Sequence, residues 1–314
     1  GPPTRSICAA MATNSAAARF DNFMARVWAD HATRSDAVAR RLRMRTPPPQ
    51  TPAQVAQLVR IVVHLLGEHL GRFDDARWRL DALRTHALAD ASVQSALRVA
   101  EATLDIGQDR TGALGALDAA QMLHAEAGAA ALCLGRGQVE RALQLIASAG
   151  ARLALLPEAT PQDHRPLAIA CNNMTWELHD LGDRRSPEQT QAMLRLAAAS
   201  REHWSRAGTW LEIERAEYGL AITHLAAGLH DEAWRHAAQC LAVCLHHKAP
   251  PYELLYAHEA MARVHHARRE AAELAHHAQA LRAAFARLNR SDQSANRGML
   301  DAVLALGREQ ALAA

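Results

Sequence analysis

Apolar positions along most of the chain recur at spacings of three and four residues, the pattern of amphipathic helices. Three stretches share a turn motif, a glycine followed by a short polar run and an alanine. They are residues 71–76 (GRFDDA), 137–142 (GQVERA) and 228–233 (GLHDEA). Glycine ends one helix in the left-handed conformation, and the alanine begins a second helix small enough to pack closely on the first. The repetition predicts an all-α chain, an α-solenoid of stacked antiparallel helix hairpins.

The turns and helix starts give the expected organisation of the chain. Turns are predicted near Gly71, Gly107, Gly137, Gly182, Gly228 and Ala267-Arg268. Second helices are predicted to begin near Ala76, Ala113, Ala142, Ala192, Ala233 and Ala272. Because the spacing drifts, we expect a degenerate array, with an N-terminal subarray over residues 53–156 and a C-terminal subarray over 167–288. Prolines 157, 161 and 166 predict a loop over residues 157–166 between them.

The two ends of the chain carry weaker patterns. Residues 1–13 begin with Gly-Pro, as a protease-cleavage scar does, and are predicted to be a tag remnant and a disordered N-terminus. Residues 14–45 predict one or two basic amphipathic helices, and residues 46–52 a proline-rich linker in which Thr51 and Pro52 begin the next helix. Residues 289–314 predict a capping helix, or alternatively a contact in a homodimer.

Composition narrows the classes of partner. The formal net charge is +2, which favours neither nucleic acid nor membrane as a partner. The basic stretch 34–45 has no turn and recognition helix after it, so a solvent-exposed helix is favoured there over a nucleic-acid or acidic-partner contact. The five cysteines are an odd number and lie mostly in apolar runs, which is typical of a reducing cytoplasm. Arginine is used almost throughout in place of lysine, which together with the alanine richness indicates a bacterial coding bias.

One copy of the repeat carries a family resemblance. Its small and apolar residues fall where tetratricopeptide repeats have theirs: Leu220, Ala221, Gly228, Ala233, Cys240 and Leu241. The chain resembles that family over about residues 53–285, most strongly over 168–285. It departs at Glu217 and His224, where the family has large aromatics, and in the insertion 186–190. The resemblance implies a right-handed superhelix with a concave groove, lined by the first helices and usually occupied by a peptide or protein.

Aligning Gly182 with the family's turn glycine predicts a set of groove residues. The first helix before Gly182 contributes Asn172, Trp176 and His179, an amide and an aromatic ring that suit a peptide ligand. The next two first helices contribute Arg215, Tyr218, Tyr256, His258 and Glu259. Arg215 pairs either with a ligand carboxylate or with Glu177 or Glu214 of the scaffold. Alternatively, Asn172 caps or bridges helices and Trp176 packs between hairpins.

A second possibility is a metal site in the His- and Cys-rich C-terminal third. His236, Cys240 and Cys244 lie on one helical stripe, and soft metals favour these ligands. The alternative is favoured: the thiols act as small apolar fillers, since residues at i, i+4 and i+8 span about 12 Å and rarely converge on one ion.

Motifs for catalysis are absent from the sequence, which has no phosphate-binding glycine loop, nucleophile elbow or His-Glu-x-x-His helix. The sequence therefore predicts a non-catalytic peptide- or protein-binding adaptor or sensor without a cofactor. Two alternatives remain open at this point, a metal- or small-molecule-binding helical protein and the regulatory part of a signalling system.

Overall fold

The computed structural model describes residues 15–110, 114, 115 and 117–313, so the predicted N-terminal segment 1–13 lies outside the described residues. All regular structure in the described ranges is helical, as predicted, with fourteen α-helices and no strand. Helices adjacent along the chain pack against one another in pairs. The chain divides into two compact units, residues 1–158 and 159–314. In the described ranges, no helix is long and apolar enough to cross a bilayer.

Unit 1 begins with two short helices in the region predicted to be basic and amphipathic. Its helices are α1 (Ala16–Asp30), α2 (Ser35–Arg45), α3 (Pro52–Ile61), α4 (Phe73–Arg84), α5 (Ala91–Gly107), α6 (Ala119–Gly135) and α7 (Val139–Leu155). The core of the unit includes Phe20, Phe23 and Val27 of α1, which the helical spacing places on one face. Residues 46–50 have no regular structure, and α3 follows them.

The start of α3 follows from its sequence. The Thr51 hydroxyl accepts a hydrogen bond from the backbone N–H of Gln54 at 3.2 Å, and Pro52 takes the first helical position. At that position the missing N–H of proline costs nothing, because the first N–H groups of a helix have no partner within it.

Replacing Thr51 with alanine removes this cap. We expect Thr51→Ala to lower the free energy of unfolding of unit 1 by about 1 kcal/mol, measured by urea denaturation. Thr51→Ser keeps the hydroxyl and is the matched control. Equal losses in the two variants would show that the hydroxyl does not cap α3.

A π-helical segment, Val62–His69, follows α3 without a break. The backbone N–H of Leu70 donates to the carbonyl of Leu65 at 3.1 Å, the i to i+5 bond that defines this geometry. The apolar pattern of the sequence runs on through this segment and predicts an ordinary helix. Segments of this kind are rare, and many of them lie at functional sites.

Unit 2 contains the second half of the helices. They are α8 (Pro161–Asp180), α9 (Pro187–Ala207), α10 (Trp210–Ala226), α11 (His230–His246), α12 (Pro251–Ala267), α13 (Ala271–Ala286) and α14 (Arg290–Ala313). A short 3-10 turn, Gly182–Arg184, precedes α9. Helix α14 covers residues predicted to cap the array, and its Leu300 and Val303 pack with Leu255 and Leu281 of α12 and α13.

The predicted turn glycines are confirmed at four positions, where φ lies between 53° and 74°: Gly71, Gly137, Gly182 and Gly228. The turn predicted near Gly107 is present, but a glycine does not supply its left-handed residue. Gly107 is the last residue of α5, and Asp109 takes the left-handed conformation with φ 59°. Asp tolerates this conformation better than most residues do. The helix start predicted near Ala113 lies outside the described residues, and α6 begins at Ala119.

Two predicted boundaries in unit 2 are wrong because proline begins a helix there. The loop predicted over 157–166 ends early: α8 begins at Pro161 after the N-cap Thr160, and Pro166 lies inside the helix. The helix start predicted near Ala192 moves to Pro187, where the Ser186 hydroxyl accepts from the backbone N–H of Gln189. Proline has a fixed φ suited to the first turn of a helix, so these prolines start helices where we expected loops.

Candidate functional site

Three aromatic side chains lie next to one another on unit 2. They come from α8, α10 and α12, each of which is the first helix of an adjacent helix pair. The ring centroid of Trp176 on α8 lies 6.2 Å from that of Tyr218 on α10. The Tyr218 centroid lies 5.5 Å from that of Tyr256 on α12, with the two rings nearly perpendicular. All three residues are partly buried. We call Trp176, Tyr218 and Tyr256 the aromatic strip.

Hydrogen bonds to neighbouring helices orient the two tyrosines. The Tyr218 hydroxyl donates to Glu259 Oε2 on α12 at 2.9 Å, and the Tyr256 hydroxyl donates to Asn296 Oδ1 on α14 at 2.7 Å. Burial and the Glu259 carboxylate raise the pKa of Tyr218 well above its ordinary value, so its hydroxyl remains protonated. Both rings are therefore held in place by hydrogen bonds within unit 2.

Arg215 lies beside the strip and forms a bidentate ion pair with Glu253 of α12. Its Nε lies 3.2 Å from Glu253 Oε2 and its Nη2 lies 2.6 Å from Glu253 Oε1. The predicted scaffold partners, Glu177 and Glu214, are thus wrong. The first helices α10 and α12 are neighbours, which brings Glu253 within reach, whereas Glu214 belongs to a buried cluster described below.

In two ion pairs beside the aromatic strip, the arginine is exposed and the glutamate is buried. The side chain of Arg215 is 57% exposed and that of Glu253 is 7% exposed. Arg263 pairs with Glu259 at 2.8 Å in the same way, with 34% of its side chain exposed against 6% for the glutamate. In each pair, solvent therefore meets mainly the guanidinium, although the pair is neutral as a whole.

The remaining predicted groove residues differ in their surroundings. The His179 ring lies 5.3 Å from that of Trp176 and belongs to the same face. Asn172, one helical turn before Trp176, is partly exposed and has Asn173 Oδ1 3.5 Å from its amide nitrogen. His258 does not join the strip, because its Nδ1 lies 3.0 Å from Nδ1 of His277 on α13.

Of the three residues considered as metal ligands in the C-terminal third, the two cysteines come together but His236 does not join them. Cys240 and Cys244 are buried with Glu214, and their donor atoms all lie within 4.8 Å of one another. The Cys240 thiol donates to Glu214 Oε1 at 3.0 Å. His236 instead has its Nδ1 2.7 Å from Glu217 Oε2. The reason is geometric, since three residues on one stripe of a helix are spread along its axis.

The two buried glutamates of α10 have opposite pKa shifts. Burial and the neighbouring Glu253 raise the pKa of Glu214 to about 7. Burial also opposes ionisation of Glu217, but hydrogen bonds from His236 and Arg201 outweigh it and lower the pKa of Glu217. The hydrogen bond with Cys244, burial and the charge of Glu214 raise the pKa of Cys240, so its thiol is protonated at neutral pH. Glu214, Cys240 and Cys244 therefore form a buried cluster held by hydrogen bonds.

A second group of titratable residues lies in unit 1 and is not predicted from the sequence. Its members, which we call the histidine cluster, are His31, His64 and His69. The spacing of His64 and His69 does not predict a shared site, because residues five apart in an α-helix point about 140° away from each other. Only the π-helical segment brings His64 and His69 together, and the apolar pattern does not predict that segment.

Comparison of the chain with protein-family models, curated proteins and solved structures gives no match. The resemblance to tetratricopeptide repeats therefore stays a prediction from the residues.

Proposed function

We propose that this chain is a non-catalytic binding protein, a tetratricopeptide-like adaptor or sensor of the cytoplasm that holds an acidic peptide segment on the aromatic strip. The observation that carries the proposal is the exposed guanidinium of Arg215, fixed by the buried Glu253 beside three aromatic rings. In this proposal unit 2 is part of a right-handed α-solenoid, and the strip lines its concave groove.

The charge of the ligand follows from the arginines. A guanidinium has five N–H donors, and Arg215 directs two of its nitrogens at Glu253. Its exposed remainder matches a carboxylate, which accepts two parallel hydrogen bonds from such a group. Because Glu253 already holds the side chain in place, a ligand loses less rotamer entropy in ordering it. Arg263, fixed by Glu259, adds a second positive group to the same face.

The length of the ligand follows from the rings. The successive centroid distances of 6.2 and 5.5 Å give a run of up to about 12 Å. An extended peptide covers about 3.3 Å per residue, so the strip spans about four residues. Tyrosine and tryptophan offer large contact area at low entropic cost, which suits apolar or aromatic ligand side chains beside the carboxylate.

Selection from a library of displayed random-sequence peptides tests this function. We expect the wild-type chain to enrich peptides that combine Asp or Glu with a large apolar residue. Affinity for such a peptide should fall at least about tenfold in Trp176→Ala and in Arg215→Gln. Trp234→Ala and Arg206→Gln are matched controls, because both residues are exposed elsewhere on unit 2 and should leave binding unchanged.

Two results would contradict the proposal. The first is enrichment of peptides without carboxylates. The second is unchanged binding in both Trp176→Ala and Arg215→Gln while the helical circular dichroism of these variants matches that of the wild type.

A further inference from the structure

Three imidazole rings converge in unit 1, far along the sequence from the aromatic strip. His31 follows the end of α1, and His64 and His69 belong to the π-helical segment. One ring nitrogen of each lies within 4.8 Å of the other two. The Nε2 atoms of His64 and His69 are 3.2 Å apart. The ring centroids are separated by 4.7 to 5.2 Å.

We propose that His31, His64 and His69 form a binding site for a divalent first-row transition-metal ion of the Zn²⁺ type, with an open fourth position. Zinc binds histidine nitrogen at about 2.0–2.1 Å in tetrahedral geometry, which places two ligand nitrogens about 3.3 Å apart. The distance of 3.2 Å between the Nε2 atoms of His64 and His69 already matches this value. The third donor atom, on His31, lies within 4.8 Å of the other two and has to approach by up to about 1.5 Å to complete the tetrahedral spacing.

The outer nitrogens of two rings are held as in metal-binding histidines. His64 Nδ1 lies 2.7 Å from Glu68 Oε2, and His31 Nδ1 lies 2.6 Å from the carbonyl oxygen of Trp28. A ring that donates from Nδ1 keeps its lone pair on Nε2, the atom available to a metal. Ligating histidines almost always have such a carboxylate or carbonyl partner, which fixes the tautomer and the ring orientation.

The π-helical segment supplies the geometry that an α-helix would not. In an α-helix, His64 and His69 would point about 140° apart, and their nitrogens would not meet. The segment closes i to i+5 bonds instead, so residues five apart lie on one side. Arg136 supports its end, since one guanidinium nitrogen lies 2.9 Å from the carbonyl oxygen of Glu68 and 3.4 Å from that of His69. The unusual backbone is thus fixed where the two imidazoles converge.

The surroundings allow an ion to enter and favour nitrogen ligation. All three histidines are partly exposed. The Trp28 ring lies 5.3 Å from that of His31 and 5.4 Å from that of His64, and it covers one side of the cluster. An all-imidazole donor set suits Zn²⁺, Cu²⁺ or Ni²⁺ better than Mg²⁺ or Ca²⁺, which prefer oxygen.

Titration calorimetry of the tag-free full chain with ZnCl₂, after removal of metal with a chelator, tests the site. We expect about one Zn²⁺ per chain, and a loss of affinity of at least about 100-fold in His64→Ala or His69→Ala. Glu68→Gln removes the carboxylate behind His64 and should weaken binding about 10- to 100-fold. The control variant His246→Ala/His247→Ala removes an exposed histidine pair of unit 2 and should bind as the wild type does.

Wild-type affinity in His64→Ala and His69→Ala would overturn the site, as would binding lost only in the control, because both results mean an adventitious ion only. His31→Ala guards against misfolding, since His31 lies outside the π-helical segment. The visible absorption spectrum of Co²⁺-loaded His31→Ala should lack the tetrahedral bands of the wild type, while the circular dichroism of the variant is unchanged. Tetrahedral bands retained in His31→Ala would equally refute the three-histidine site.

Discussion

Replacing Gly135 with alanine is expected to lower the free energy of unfolding of unit 1 by about 1–3 kcal/mol. A Cβ at Gly135, the last residue of α6, would lie 2.5 Å from the backbone carbonyl oxygen of Glu68. Such an approach is too close, and a backbone oxygen of the π-helical segment cannot swing away as the tip of a side chain does. Helix α6 therefore has to shift from the segment.

Gly150→Ala is the matched control for this prediction. Gly150 lies in the interior of α7, and apart from its chain neighbours and the nearby backbone of the helix itself, no atom of the described residues lies within 4 Å of an added Cβ there. Alanine is favoured over glycine in a helix by about 0.5–1 kcal/mol, so this variant should be more stable than the wild type. Urea denaturation at one pH measures both. A stabilising Gly135→Ala would show that the contact with Glu68 is not a constraint.

Much of the fold can be predicted because the signals are local. A left-handed turn favours glycine, and four of the predicted glycines take that conformation. An N-cap needs an oxygen within three residues, and Thr51 before Pro52 provides it. Proline is the least reliable signal, because the same residue ends one helix and begins another. The loop predicted over 157–166 is too long for this reason, since Pro161 begins α8.

The π-helical segment cannot be predicted, since its apolar spacing does not distinguish it from a continued α-helix. Tertiary contacts accompany it instead: Gly135 packs closely against the carbonyl of Glu68, and Arg136 donates to the carbonyls of Glu68 and His69. The histidine cluster depends on this geometry and on His31, which precedes α2 in the chain. Its three members therefore carry no common sequence pattern.

The candidate strip in unit 2 can be predicted in part. The resemblance to tetratricopeptide repeats implies that Trp176, Tyr218 and Tyr256 line one groove. Their successive ring centroids do lie 6.2 and 5.5 Å apart. The partner of Arg215 cannot be found this way, because Glu253 is 38 residues away and its position depends on how α10 and α12 are aligned. The face of a helix on which a residue lies follows from the local sequence. Its partner on another helix depends on how the two helices are aligned.

Replacing Glu214 with glutamine is expected to stabilise unit 2 at alkaline pH by about 3 kcal/mol. The pKa of Glu214 rises from 4.5 to about 7 on folding, because of burial and the charge of Glu253. Between these values the folded state holds more protons than the unfolded state, so stability falls as pH rises. A pKa difference of one between the two states corresponds to about 1.4 kcal/mol, and the full cost is present above the folded-state pKa. Glutamine has the same shape and no charge, so the variant avoids this cost.

The pH dependence separates this effect from a general change in packing. At a pH near the unfolded-state pKa of Glu214, its carboxyl is protonated in the folded state, so Glu214→Gln and wild type should have nearly equal free energies of unfolding in urea. The matched control is Glu217→Gln on the same helix. Its carboxylate is bonded to Arg201 and His236, so its loss should destabilise the protein at neutral pH, the opposite sign. A difference between Glu214→Gln and wild type that does not grow as pH rises would mean that Glu214 ionises normally. The buried cluster would then hold a carboxylate beside Glu253 at neutral pH.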